Sequence, residues 1–324
     1  MRGLMLVVLS VGAACWSAPV EVERQAGYLR AILRQADEAY FKRHDSIMSD
    51  AAYDALRARH AELTQAHPEL KGARPVGAPV AAEEKVAHSR PVLSLRKAYS
   101  DDEVIAFIEK SGAARFRVEP KIDGLTVILR YRNGVLERAI SRGDGKAGAD
   151  VTAALLASGS VPARLTAAAT LELRGEVFLS SANFAALNAR RAAEGLDPLK
   201  SPRNSAAGTL RLKDFAEVSR RGLEIRIFET RSADPMPGSA TEALATLAPL
   251  GIDLIEGRTV AAAEVLAAVE ELRRARADLP YQTDGVVIKV DDRTVFNALG
   301  ATAKHPRGAL ARKYKSAPVE TTLL

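Results

Sequence analysis

Asn133-Gly134 stands between two runs of alternating character, Thr126-Val-Ile-Leu-Arg-Tyr131 and Val135-Leu-Glu-Arg-Ala-Ile140. Two residues can join only antiparallel strands, because a parallel neighbour needs a crossover of roughly a dozen residues or more. Asn-Gly also supplies the positive φ that such a turn demands at both central positions. The chain is therefore committed to an antiparallel hairpin near its middle. Phe116-Arg-Val-Glu119 alternates in the same way, and further strands are predicted at residues 170–178, 223–228, 284–290 and 309–314. Helical stretches interleave at about 182–194, 241–250 and 261–276. This mixture predicts an α+β fold with largely antiparallel sheets.

Upstream of the hairpin the period is 3.6 rather than 2. Val22, Ala26, Leu29, Ile32, Leu33, Ala36 and Tyr40 recur at spacings of three and four and make one apolar stripe of a helix. Ser49 is placed to cap a second helix that starts at Asp50, runs through Tyr53, Leu56 and Leu63, and is stopped by Pro68. Together they read as a helical hairpin of its own. Residues 72–91, with Pro75, Pro79 and Pro91 and no periodicity, read as a linker. Ser100-Asp-Asp-Glu103 is a capping box that opens a short helix to about Lys110.

Composition narrows the classes. With 47 % hydrophobic and 27 % charged residues the 324-residue chain is globular rather than disordered, and it is long enough for two domains. Its 22 Gly and 15 Pro are scattered, which excludes collagen-like and repeat architectures. The apolar run Leu4 to Ala14 falls short of the roughly 20 residues that span a bilayer. A single cysteine, Cys15, excludes an intrachain disulfide and a four-cysteine zinc site. The net charge of +6 suits a polyanionic partner and is equally well explained as solubility charge. Arg2 followed by Leu4 to Ala14 has the form of a secretory signal, against which stand Pro19 directly after the candidate cleavage residue Ala18 and Trp16 within the small-residue pattern.

Glu119-Pro-Lys121-Ile-Asp123-Gly124 falls where a strand ends, which places Lys121 at a sheet edge facing a loop, where a lysine can act as a nucleophile. Lys-x-Asp-Gly by itself is a weak pattern. Downstream follow Ser141-Arg142-Gly143-Asp144-Gly145 and Leu173-Arg174-Gly175-Glu176-Val177-Phe178. Ser201-Pro-Arg203-Asn204 continuing to Gly208-Thr-Leu-Arg211, Asp284-Gly285-Val-Val-Ile-Lys289 and Ala311-Arg-Lys313-Tyr-Lys315 complete the series. In this order the blocks resemble the covalent nucleotidyltransferases, and in this form the adenylation domain of bacterial NAD-dependent DNA ligases, from about Tyr40 to Lys315.

The resemblance implies the covalent nucleotidyltransferase fold and a reaction in which Lys121 attacks the α-phosphorus of NAD, keeps AMP as a phosphoramide and releases nicotinamide mononucleotide (NMN). The amine must be neutral to attack, whereas an ordinary lysine has a pKa near 10.4. Lys289, Lys313 and the Arg203/Arg211 pair, lining one cleft, would disfavour charge on Lys121 and neutralise the transferring phosphate. By the same resemblance Glu119 contacts the adenine edge, Glu176 the ribose hydroxyls, Arg142 the ribose or phosphate side, and Lys289 and Lys313 the adenine and phosphate. Ser94 and Leu95 lie beside the adenosine, Phe228 stacks on adenine where the family usually has tyrosine, and Arg276 joins the nucleotide contacts. Asp123 and Asp284 either organise these residues and help hold Mg²⁺ or simply form Asp-Gly turns, and the metal ligands stay open. In the helical hairpin, Tyr40 and Asp50-Ala-Ala-Tyr53-Asp54 match the segment that grips NMN in the family.

Two positions depart from the family pattern: Phe41 replaces a histidine, and Arg96-Lys97 follows Leu93-Ser-Leu95 where Asp-Asn is common. With the lack of further cysteines they resemble the shorter B-type ligases. The expected organisation is an apolar segment at 1–18, an NMN-binding helical domain at 19–71, a linker at 72–91, an adenylation domain at 92–315 and a tail at 316–324. That tail is too short for the OB-fold barrel that continues the family and, with a helix-hairpin-helix unit, clamps DNA. The expected function is NAD-dependent sealing of nicked duplex DNA, strong in adenylation and weak in sealing unless a partner supplies the clamp. The alternatives are AMP transfer to RNA or a small acceptor, and a non-catalytic nick or nucleotide sensor. DNA and NAD place the protein in the cytoplasm without stable membrane association, with periplasmic export the alternative.

Overall fold

The computed structural model describes residues 20–43, 50–71, 85–231 and 238–314. The apolar segment, the tail, Ser49 and Lys315 lie outside them, as do the side chains of Tyr40, Phe41, Asp50 and Asp54.

Helices α1 (Val20–Arg43) and α2 (Asp50–Ala66) pack on each other as the expected pair. They do not close a core of their own. Ala26, Leu29 and Ile32 of α1 and Leu56 and Leu63 of α2 are buried in one cluster with Leu155, Leu173 and Ile227 of the following domain. Two short helices expose too much apolar surface to be stable alone, so the stripe is buried against a larger partner. Polar contacts ring this joint: Glu21 pairs with Arg138, and the Gln25 amide donates to the Glu137 carbonyl at 3.1 Å.

The segment expected to be linker ends in a strand, β1 (Lys85–Ala87), followed by β2 (Arg96–Ala98). Helix α3 (Asp101–Ser111) begins at its capping box, with the Glu103 amide donating to Ser100 Oγ and the Ser100 amide to the Glu103 carboxylate. Then come β3 (Arg115–Ile122), β4 (Leu125–Arg132), β5 (Val135–Ser141), β6 (Ala147–Ala149), α4 (Thr152–Ser158) and β7 (Leu171–Phe178). Asn133 and Gly134 have φ of 49° and 78°, as the two-residue turn requires. Helices α5 (Ser181–Ala193), α6 (Pro202–Thr209) and α7 (Phe215–Arg221) lead to β8 (Glu224–Thr230). The chain closes with α8 (Ala240–Ala245), β9 (Arg258–Ala261), α9 (Val265–Ala275), β10 (Thr283–Val290), α10 (Arg293–Leu299) and β11 (Ala309–Lys313).

Two predicted helices are shorter than expected. The stretch 241–250 breaks into α8 and a 3₁₀ turn at Ala248–Leu250 that holds Pro249. The stretch 261–276 starts as the end of β9 and a 3₁₀ turn before α9 forms.

The strands build a five-stranded sheet ordered β2-β11-β10-β3-β9 and a four-stranded sheet ordered β5-β4-β7-β8, with β1 and β6 pairing separately. All pairs are antiparallel except β11 with β2. Consecutive strands β3 and β4 belong to different sheets, and only Asp123-Gly124 connects them. A side chain at Gly124 would stand 2.3 Å from the Val177 carbonyl oxygen, so the crossing from sheet to sheet needs glycine. Behind the larger sheet Phe116, Val118, Val286, Ile288 and Leu310 pack on α3 and α9. The opposite face of the same strands looks into a cleft.

Candidate active site

Strand alternation decides which side chains reach the cleft. On β3, Phe116 and Val118 enter the core while Arg117, Glu119 and Lys121 face the other way. Lys121, Gly285 and Lys313 are paired across three strands, and Glu119, Val287 and Ala311 form the next row, with Arg117, Lys289 and Ala309 beyond it. Strand β3 is flanked on both sides only as far as Val118, where its pairing with β9 ends, so Lys121 has β10 alone beside it and stands at a local sheet edge, as the sequence predicts. The pairing of β10 with β3 shifts register between Thr283 and Gly285, which aims the Asp284 side chain at the cleft. The opposite wall comes from the four-stranded sheet, through Thr126, Arg174, Glu176 and Phe228. Together they enclose about 530 Å³.

Three lysines on the floor, Lys121, Lys289 and Lys313, have carboxylate partners. Lys121 Nζ lies 3.2 Å from Asp284 Oδ1, and Lys313 pairs with the other oxygen of the same carboxylate. Lys289 Nζ lies 2.5 Å from Glu119 Oε1 and also donates to the Phe228 carbonyl at 2.9 Å. Glu119, only 2 % exposed, accepts a second bond from Arg117 Nε at 3.1 Å. Arg203 is bound to Asp123 at 2.6 Å. Of the cations expected in one cleft with Lys121, Lys289, Lys313 and Arg203 are there and each is paired with a carboxylate, whereas Arg211 is outside the cleft lining. Like charges gathered in a half-buried cleft need counter-charge, and the nearest charged group to Lys121 is the Asp284 carboxylate.

The wall is held differently. Glu176 accepts from Thr126 Oγ1 at 2.8 Å, and burial pushes its carboxyl above the ordinary range despite that bond and the cations nearby. Arg142 donates to Ser94 Oγ at 2.7 Å and to the Val92 carbonyl at 3.3 Å. Arg174 donates to the Leu93 carbonyl at 2.8 Å and lies 5.3 Å from the centre of the Phe228 ring. Lys289 approaches the same ring at 5.2 Å. Phe228 therefore presents an electron-rich face already engaged by two cations, beside a carboxylate and a lysine suited to the edge of a purine.

Ten of the predicted residues line this cleft: Ser94, Leu95, Glu119, Lys121, Arg142, Glu176, Arg203, Phe228, Lys289 and Lys313. Three described ones do not. Arg211 is exposed beyond the end of α6 and outside the cleft lining. Arg276 stacks on the Tyr314 ring at 5.3 Å rather than joining the nucleotide contacts. Tyr53 packs against Ala36 and Ala216, because the helical pair is buried behind the four-stranded sheet. Tyr40, Asp50 and Asp54 lie outside the described side chains. Arg174 was legible, since it shares the face of Glu176 two residues away on β7, whereas the cleft-lining Arg231 carries no local signal. Among the described residues no three His, Cys, Asp or Glu side chains gather as a metal site, and no helix is long and apolar enough to cross a membrane.

Residues 81–317 match the profile of the NAD-dependent DNA ligase adenylation domain, and residues 19–74 that of the DNA ligase-like N-terminal NAD+-binding domain. The chain is 37 % identical over 314 residues to a DNA ligase of Bacillus licheniformis and 38 % identical over 324 residues to one of Chloroflexus aurantiacus. A DNA ligase of Azorhizobium caulinodans is 38 % identical over 308 residues. These alignments take in 93 %, 91 % and 89 % of this chain, but 47 %, 46 % and 42 % of the relatives, so the chain spans about half their length. With one sheet carrying the lysines, the other carrying Glu176 and Phe228, and the adenylation profile covering both, the chain belongs to the NAD-dependent DNA ligase family.

Proposed function

We propose that this chain transfers AMP from NAD to Lys121 and from there to the 5′-phosphate of nicked duplex DNA. The arrangement of Lys121, Asp284 and Lys313 on the cleft floor carries this reading. In the first step the Lys121 nitrogen attacks the α-phosphorus, a P–N bond forms, and the P–O bond to NMN breaks with both electrons leaving on the NMN phosphate. Asp284 is within reach to take the amine proton, and Lys313 is released from it to meet the phosphate charge. Glu119 and Lys289 read the adenine edge, Phe228 stacks on the ring, and Glu176 binds the ribose hydroxyls. Arg142 holds Ser94 beside the sugar.

Mg²⁺ commonly keeps one or two carboxylates and takes its other ligands from phosphates and water, and Asp284 beside Lys121, with Asp123 bound to the cleft-lining Arg203, fits that donor set. When bound it would neutralise phosphate charge. Two further steps follow: the DNA 5′-phosphate displaces Lys121 from AMP, and the 3′-hydroxyl then displaces AMP. Both need duplex held against the adenylate through phosphate contacts. NAD and DNA meet in the cytoplasm, which is the compartment this reading favours.

The test is intact mass after incubation with Mg²⁺ and either NAD or ATP. An AMP adduct from NAD alone, absent in Lys121→Ala, is the expected result. No adduct from either nucleotide would overturn the enzyme reading. Nicked DNA against nicked RNA as acceptor then separates the DNA ligase from an RNA-directed transferase.

A further inference from the structure

Between β1 and β2 the chain crosses the cleft as a strap with no strand pairing of its own, and its far end supplies Ser94 and Leu95 to the cleft lining. Three of its amides are tied to distant carbonyls, His88 to Lys146 at 2.9 Å, Val92 to Gly145 at 2.8 Å and Ser94 to Lys304 at 3.1 Å. Its carbonyls are held more thoroughly. Arg231 Nη2 donates to the carbonyls of Arg90 and Pro91, at 3.1 Å each. Arg142 takes the Val92 carbonyl and Arg174 the Leu93 carbonyl. Four consecutive carbonyls are thus gripped by three guanidinium groups.

Arg231 is the anchor of this set. It follows β8 directly, is 8 % exposed, and continues the ladder by donating its amide to the Glu172 carbonyl at 2.7 Å. Its Nη1 lies 3.2 Å from the Glu172 carboxylate. The grip is reciprocal, since the Arg90 guanidinium donates to the Arg231 carbonyl. Ser89 Oγ donates to Glu172 at 2.7 Å. A guanidinium presents a rigid planar fork, so one side chain can hold two adjacent carbonyls and a carboxylate at once, which an ammonium on a flexible stem cannot do in fixed geometry.

We infer that Arg231 is a positioning residue for nucleotide recognition: by fixing residues 90 and 91 against the β7–β8 edge it sets where Ser94 and Leu95 stand in the cleft. The adenosine half of the substrate is bound alike before and during phosphoryl transfer, so loosening the strap weakens both states equally and raises KM without lowering kcat. Removing Arg231 leaves no orphan carboxylate, because Glu172 keeps Arg130 Nε at 3.0 Å and Ser89. The kinetic half of this inference rests on the adenylation reading above.

The test uses the full chain with Arg231→Met and Arg231→Lys. Hydrogen exchange at the Val92 and Ser94 amides, AMP affinity by calorimetry, and KM and kcat for adduct formation from NAD are measured together. Arg231→Met is expected to speed exchange of both amides about ten-fold and to weaken AMP binding and raise KM about ten-fold, the scale of a charged hydrogen bond, with kcat within about two-fold. Arg231→Lys, which keeps the pair with Glu172 but not the fork, should fall between. Unchanged exchange, or a fall in kcat at constant KM, overturns the inference. If Arg231→Met fails to fold, Arg90→Met removes the reciprocal bond and is held to the same outcomes. A wild-type protein that forms no adduct defeats the adenylation reading alone, and exchange and AMP affinity then decide this one.

Discussion

The two walls of the cleft solve the problem of holding charge in opposite ways. On the five-stranded sheet, lysines and carboxylates hold one another: Asp284 serves both Lys121 and Lys313, and Glu119 serves Lys289. On the side of the four-stranded sheet, arginines hold main-chain carbonyls, with Arg142, Arg174 and Arg231 reaching the strap. A side-chain ion pair can be exchanged for a ligand's phosphate at little net cost, since one anion replaces another. A guanidinium spent on backbone carbonyls is not released without moving the chain. The floor is therefore built for partners to change during a reaction, and the wall for geometry to stay fixed.

Substitutions that break the floor should act on chemistry, and those that break the wall should act on binding. The largest effect after loss of Lys121 itself is expected for Asp284→Asn, which leaves two lysines facing each other without a counter-charge and removes the group placed to take the amine proton. Adduct formation should fall about a hundred-fold or more, within the usual scale of a general base, with AMP affinity changed far less. Single-turnover mass spectrometry at saturating NAD checks it. Equal losses in rate and affinity would erase the distinction drawn between floor and wall.

Glu176→Gln tests the wall where it carries its own charge. Burial holds the Glu176 carboxyl above its ordinary value, so folding disfavours its charged form relative to the unfolded chain. Native stability from this group is present below the ordinary carboxylate pKa and is lost as pH rises through the raised one. The glutamine variant lacks that loss, so its advantage in denaturant midpoint should appear on going from about pH 4 to pH 7. Adenylation should fall about thirty-fold, on the scale of lost hydrogen bonds to a charged group, because glutamine offers the ribose hydroxyls one neutral acceptor oxygen where the carboxylate offers two.

Phe228→Ala should weaken AMP binding about ten-fold, the lower part of the range for a base stacked on an aromatic ring, while Phe228→Tyr leaves it unchanged. Calorimetry with AMP reads both. The smallest effect is expected at His88, whose ring is half-buried and donates from Nε2 to the Arg142 carbonyl at 3.1 Å. Burial pushes its pKa down, so the unfolded chain takes up a proton first and stability falls as pH drops through about 6.5. Urea unfolding of the wild type should weaken more between pH 7.5 and 5.5 than that of His88→Asn, by less than about 1 kcal/mol. An identical pH response in both would show that His88 does not couple the strap to acidity.

Much of this was legible in the sequence because it depends on local rules. The Asn133-Gly134 turn, the Ser100 capping box and the alternation of β3 follow from backbone conformations that a few neighbouring residues favour. The chemistry-bearing blocks were legible too, since the face of a strand follows from period 2 once the strand is known. The short helices α4, α6, α7 and α10 were not, because seven or eight residues hold two turns at most and leave no period to count. Nor did the stripe on α1 say what would cover it, which is why a hairpin expected to stand by itself is buried against the four-stranded sheet. The sequence by itself thus determined which strand faces carry most of the chemistry-bearing residues of the cleft. Only the tertiary structure decided how they are partnered: Asp284 joins Lys121, 163 positions away, to Lys313, 29 positions away, and Arg231 grips Arg90 across 141. Partner choice of that kind depends on the register of strands that are not neighbours in the chain, and register is set by the packing of whole sheets rather than by any local preference.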